Sequence, residues 1–87
     1  KLNWRCYILE CADGTLYTGI TNDLDKRLAA LNDGTASKYT RSRLPVRVIF
    51  FEAHPDRAGA SRRETAIKRL PRAAKLRLVA SSPTSVK

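Results

Sequence analysis

The sequence predicts a small mixed α/β domain with the order strand, strand, helix, strand, helix, helix. Three observations predict it. Two runs rich in aromatic and β-branched residues flank Ala12-Asp13-Gly14 and read as a hairpin. Leu24, Leu28 and Leu31 repeat with helical spacing. A third apolar run at 46–53 precedes a second helical pattern. With 87 residues, 43% of them apolar, one domain with one modest core is expected. It should span residues 1–80, with 81–87 as a polar, disordered tail.

The first strand is Trp4 to Cys11 and the second Thr15 to Thr21. Gly14 can take positive φ in the turn, while Gly19 inside a strand marks close approach of another group. A two-residue Asp-Gly loop would put Tyr7 and Tyr17 on opposite faces. A three-residue loop would pair Leu9 with Tyr17 and Tyr7 with Gly19, so that both rings share a face. Local sequence is compatible with either; a shared site requires the odd-length loop, which is the expectation adopted.

Asn22 or Thr21 can cap a helix running to about Asn32, with Asp23 and Asp25 in its first turn. Arg27 falls at the edge of the leucine stripe, and Asp33-Gly34 ends the helix. Thr35 to Pro45 reads as a basic loop. Its Lys38, Arg41 and Arg43 surround Tyr39, a pattern suited to phosphate contacts and one stacking ring. Val46 to Ala53 is a near-continuous apolar strand, expected in the centre of the sheet. His54 stands at the corner that follows and reads as structural or exposed.

Asp56 caps a helix from Arg57 to Leu70. Its inward stripe should be Ala60, Glu64 and Ile67, extending to Leu70. An acid on that stripe needs a cation, a hydrogen-bond network or a metal, Arg27 being one candidate cation. Pro71 can open the last helix at its first position, over Arg72 to Ala80, with Ala73, Leu76 and Val79 or Ala80 inward.

The net charge of +9 is unevenly distributed. Residues 1–36 carry four bases and five acids, net −1, whereas residues 37–87 carry thirteen bases and three acids, net +10. Such segregation favours a polyanion, above all nucleic acid. A membrane surface fits less well, because the basic half lacks a matching face of large apolar residues. No apolar run approaches the length of a membrane span, and no small-residue cleavage site follows the N-terminal apolar run, so no signal peptide is expected. Cys6 and Cys11, five apart on one strand, point to opposite faces and cannot bridge. Unpaired thiols fit a reducing, cytoplasmic setting, and no ligand spacing suggests zinc.

With Tyr7, Tyr17, Gly19, Arg27 and Glu64 in this order, the chain resembles the GIY-YIG nuclease domain over about residues 4–80, most closely its small stand-alone bacterial members. The first signature element stands as Cys6-Tyr7-Ile8 and the second as Tyr17-Thr18-Gly19. The resemblance implies a small three-stranded, mostly antiparallel sheet flanked by helices. It also implies Mg²⁺- or Mn²⁺-dependent hydrolysis of phosphodiester bonds in DNA by a monomer. On it, Glu64 would hold one cation, Tyr17 or Tyr7 in its place would help deprotonate the attacking water, and Arg27 would steady transition-state charge. One carboxylate suits Mg²⁺, which keeps most of its waters. Lys38, Tyr39, Arg41, Arg43, Arg63 and Lys68 are the expected nucleic-acid contacts. Leu31 stands where related small members carry histidine, so the alternative is a nucleic-acid-binding module that keeps the fold without cleaving.

Overall fold

The protein is described by a computed structural model covering residues 3–35 and 38–81; of the tail expected at 81–87, Ser81 is helical and residues 82–87 lie outside the described residues, as does the side chain of Tyr39. Strand β1 (Trp4–Glu10) and strand β2 (Leu16–Thr21) form an antiparallel hairpin. Its loop has three residues: the Cys11 N–H donates to the Thr15 carbonyl at 2.9 Å, and Gly14 takes φ +85°. The Asp13 carboxylate accepts from the Thr15 hydroxyl at 2.7 Å and from the Thr15 N–H at 3.1 Å. These bonds, with the nearby Arg43 charge, hold its pKa below the ordinary value. The odd-length loop fixes the expected register, with Leu9 opposite Tyr17 and Tyr7 opposite Gly19.

Strand β3 (Arg47–His54) pairs antiparallel with β1, giving the sheet order β2-β1-β3. This corrects the central placement expected for the third strand: β1 is central, and β3 is an edge. The apolar run that suggested otherwise has a local cause. The register shifts between Ile8 and Leu9, so Ile8 faces Phe50 while Leu9 faces Val48. Ile49 is the extra residue of a bulge, and it packs on the same side as Phe50. Val48 and Phe51 pack on the other side. The bulge, not burial between two neighbours, makes the sequence read as apolar without a break.

Helix α1 (Leu24–Asn32) covers one face of the sheet, where Tyr7, Leu9, Cys11, Leu31 and Val46 form a buried cluster. Helix α3 (Arg57–Lys68) covers the other, its Ile67 packing with Cys6, Ile8 and Phe50. The two cysteines therefore lie in different clusters, both free. A single helical turn, α2 (Lys38–Arg41), interrupts the loop that was expected to be irregular. That segment is tied down at both ends. The Ala12 N–H donates to the Arg43 carbonyl at 2.9 Å, and the Asn32 amide exchanges two hydrogen bonds with the Val46 backbone at 2.8 and 3.1 Å.

Asp23, rather than Asn22 or Thr21, caps α1 by accepting from the Lys26 N–H at 3.1 Å, while the Thr21 hydroxyl accepts from the Asp23 N–H. Asp56 caps α3 as expected, accepting from the Gly59 N–H at 2.7 Å. Helix α3 ends at Lys68, two residues short of Leu70. Pro71 lies just outside helix α4 (Arg72–Ser81) and gives its carbonyl to the Lys75 N–H at 3.1 Å. On α4 the residues packed inward are Leu78 and Val79, while Ala73, Leu76 and Ala80 are exposed. Only Val79 of the expected stripe is correct. Alanine or leucine occurs on every side of this helix, so periodicity alone does not choose a face. The bond from Arg72 Nη1 to the Gly14 carbonyl, 2.7 Å, helps set its rotation.

Candidate active site

Because positions 7, 9, 17 and 19 share a face, Tyr7 and Tyr17 are diagonal neighbours across the hairpin. The Tyr7 ring is laid over β2 at Gly19. A β-carbon there would stand 2.6 Å from the Tyr7 hydroxyl oxygen and 2.8 Å from Cζ. Gly19 is therefore required by space rather than by backbone conformation. Tyr7 is 1% exposed, whereas Tyr17 is only partly buried.

Arg27 reaches this pair from α1. Its guanidinium approaches the Tyr7 hydroxyl and also that of Tyr17, close enough to interact with both. Burial pushes the Tyr7 phenol above its ordinary pKa, and the hydrogen bond and charge of Arg27 draw it partly back. Arg27 in turn is shifted upward, chiefly by its bond to Tyr7. Its Nε is buried without an acceptor, so one donor of this guanidinium is unmatched by protein. A cation beside two hydroxyls, one buried and one reachable, is suited to meet a negatively charged group arriving from solvent.

Glu64 comes from α3, on the opposite side of the sheet. Its side chain is 22% exposed and pairs with Lys68 Nζ at 3.3 Å, one turn along. That lysine, not Arg27, is the counter-charge. The carboxylate's field nonetheless acts on both faces, contributing to the raised pKa of Cys6 and to that of Tyr7. Among the described residues no group of three His, Cys, Asp or Glu side chains could enclose a metal. Glu64 thus fits a divalent ion only as a lone carboxylate ligand to a largely hydrated cation such as Mg²⁺, with Lys68 displaced. Lys68 is 57% exposed and free to swing away.

The expected nucleic-acid contacts are scattered. Lys38 and Arg41 are exposed on α2. Arg43 pairs with Asp13 at 3.1 Å, and Arg63 with Glu52 at 3.0 Å. His54 Nε2 lies 2.9 Å from the same Glu52 oxygen that Arg63 contacts. Glu52 was missed from sequence, since nothing in a strand pattern shows that one carboxylate will be shared by a histidine two residues on and an arginine eleven residues on. Leu31, where the resemblance leads to the expectation of a histidine, is 1% exposed in the cluster that contains Tyr7. A cavity of about 700 Å³ lies between α1 and β3, lined by Leu28, Val48 and Phe51 among others, and includes none of Tyr7, Tyr17, Arg27 and Glu64.

The GIY-YIG catalytic domain model matches residues 3–77 of this sequence. This chain belongs to the GIY-YIG family. That membership places it in a family of nucleases. The GIY-YIG chain is also 48% identical to a UPF0213 protein of Xanthomonas axonopodis pv. citri, over 95% of its own length and 81% of the relative's. It is 49% identical to a UPF0213 protein of Clostridium perfringens, over 86% of its length and 81% of the relative's. The solution structure of a UPF0213 protein from Bacillus halodurans aligns with a TM-score of 0.60 at 41% identity, covering 93% of this GIY-YIG chain and 86% of that one. Three strands and the expected order of helices are thus shared with a solved relative. No helix among the described residues is long and apolar enough to cross a membrane.

Proposed function

We propose that the protein is a metal-dependent endonuclease that hydrolyses phosphodiester bonds in DNA. The observation that carries this reading is the Arg27 guanidinium brought beside the hydroxyls of Tyr7 and Tyr17, next to a glycine whose missing side chain makes room for the Tyr7 ring. Scattered over twenty residues of sequence, these groups have no structural need to meet at a glycine-cleared surface. Arg27 is placed to meet negative charge developing on the phosphate. Tyr17, the more accessible hydroxyl, takes the proton of the attacking water and passes one on to solvent. Tyr7, buried and neutral, holds Arg27 in position and does not itself touch the water. The attack forms a bond from the water oxygen to phosphorus and breaks one ester bond, and the departing oxygen is protonated from solvent. Glu64 is the group to hold Mg²⁺ or Mn²⁺, and that cation would supply Lewis-acid polarisation of the phosphate.

The test is cleavage of labelled single-stranded, duplex and branched DNA with Mg²⁺ or Mn²⁺ against EDTA. Cutting is expected only with the metal, abolished in Glu64→Ala, and reduced on the order of 10²–10³-fold in Arg27→Ala. Cutting that survives Glu64→Ala would remove the metal assignment. Binding with a steep salt dependence but no cutting of any substrate would establish the second reading, a non-cleaving nucleic-acid-binding module. Leu31 at the histidine position is the feature that favours that second reading.

A further inference from the structure

We infer that the outer face of α3, through Arg62 and Arg69, is a contact surface for a nucleic-acid phosphate backbone. The inference rests on the nucleic-acid reading above but not on cleavage. Arg43, Arg47, Arg63 and Lys68 are each paired to a carboxylate. Arg57 lies over the Trp4 ring, and Arg72 donates to the Gly14 carbonyl. Three of the cations that sequence assigned to nucleic acid, Arg43, Arg63 and Lys68, are therefore held by this chain's own acids. Among the described residues Arg62 and Arg69 have no such partner, and both are exposed.

They are also aligned. Arg62 lies on α3 and Arg69 is the residue that caps its C-terminus, still in helical conformation, so the two, seven residues apart, lie nearly above one another, about 10.5 Å along the axis. Between them Ser61, Thr65 and Ala66 leave a shallow groove of about 400 Å³. Each residue turns the helix by about 100°, so Glu64, Lys68, Ser61, Thr65 and then the two arginines follow one another around α3. The path from the candidate metal carboxylate to the free guanidinium pair crosses only small or hydroxyl side chains and one exposed lysine, Lys68. No acid interrupts it. A chain of phosphates lying at Glu64 would thus meet two free, fork-shaped donors as it continues over the helix. A membrane surface is disfavoured, since this face carries no large apolar residue to insert.

The experiment measures binding of fluorescent duplex and single-stranded oligonucleotides to the full chain in EDTA, so that chemistry is silent, over a range of salt concentrations. Arg62→Ala/Arg69→Ala should weaken binding at least tenfold. It should flatten the dependence of log K on log salt by about 1.8 for duplex, or about 1.4 for a single strand, the amounts expected for two lost phosphate contacts. Lys26→Ala, on the outer side of α1, should change neither by more than a fraction of that. An unchanged affinity and slope in the double variant overturn the inference, whether or not the wild type cleaves. A weakened double variant of a protein that never cuts leaves the surface standing and removes the nuclease reading. A wild type that binds neither oligonucleotide overturns both.

Discussion

At the scale of single residues, Gly19 is the position where sequence and site constrain each other most tightly. The Tyr7 ring occupies the space of its missing side chain. Gly19→Ala is expected to displace a buried ring from Arg27. Overpacking of this kind costs about 1–3 kcal/mol, readable as a lower urea midpoint. Cleavage should fall tenfold or more, beyond what the population of folded protein explains. If the variant keeps full activity, the Tyr7–Arg27 contact does not position the site. Glycine in a strand announced close approach, but not that the approaching group would be the tyrosine directly opposite. Arg27 was legible as an edge residue of its helix. Its partners were not, because they depend on a hairpin register that one residue of loop length reverses.

At the scale of elements, the caps are among the most local features and were partly legible. Asp56 heads α3 and bonds the Gly59 N–H. Asp56→Ala should destabilise the protein by about 0.5–2 kcal/mol, measured by urea unfolding. Because α3 carries Glu64 and Arg62, that variant should also lose metal-dependent activity more readily on warming than Asp25→Ala, which leaves the Asp23 cap of α1 in place. Equal thermal sensitivity of the two would show that the Asp56 cap matters little. β3 and α4 show where element-level reading stops. A bulge gives an edge strand the composition of a central one, and a helix with alanine or leucine on every side has no face until its neighbours choose one.

At the scale of the whole molecule, two buried acids of high pKa tie stability to alkaline pH. Burial first, then the fields of Glu52 and Glu64, push the Cys6 thiol up from 9.0 to about 12. Burial also raises Tyr7 above its ordinary value of 10.0. In both cases the folded state holds a proton that the unfolded chain releases. The stabilisation is therefore complete below pH 9 and is lost as pH rises through the unfolded values toward the folded ones. Urea midpoints measured from pH 7 to 11 should fall above pH 9, and Cys6→Ala should flatten that fall whatever its effect at neutral pH. At pH 8 a thiol reagent should label neither cysteine of the native protein and both after unfolding, since Cys6 is fully buried and Cys11 is 3% exposed. Labelling of the native chain, or a midpoint independent of alkaline pH, would contradict this arrangement of the core.

The sequence by itself determined the order of the three strands and the three longer helices, and the identity of the groups with chemistry to offer. Those properties are local, or follow from the two- and 3.6-residue periods of strand and helix. Tertiary structure alone decided which strand is central, that Lys68 and not Arg27 faces Glu64, and which arginines are left for a ligand after the chain's own acids have taken theirs. Each of these is a choice in which residues far apart in sequence compete, even where a local partner wins, as Lys68 does four residues from Glu64. Such choices depend on distances that periodicity does not carry.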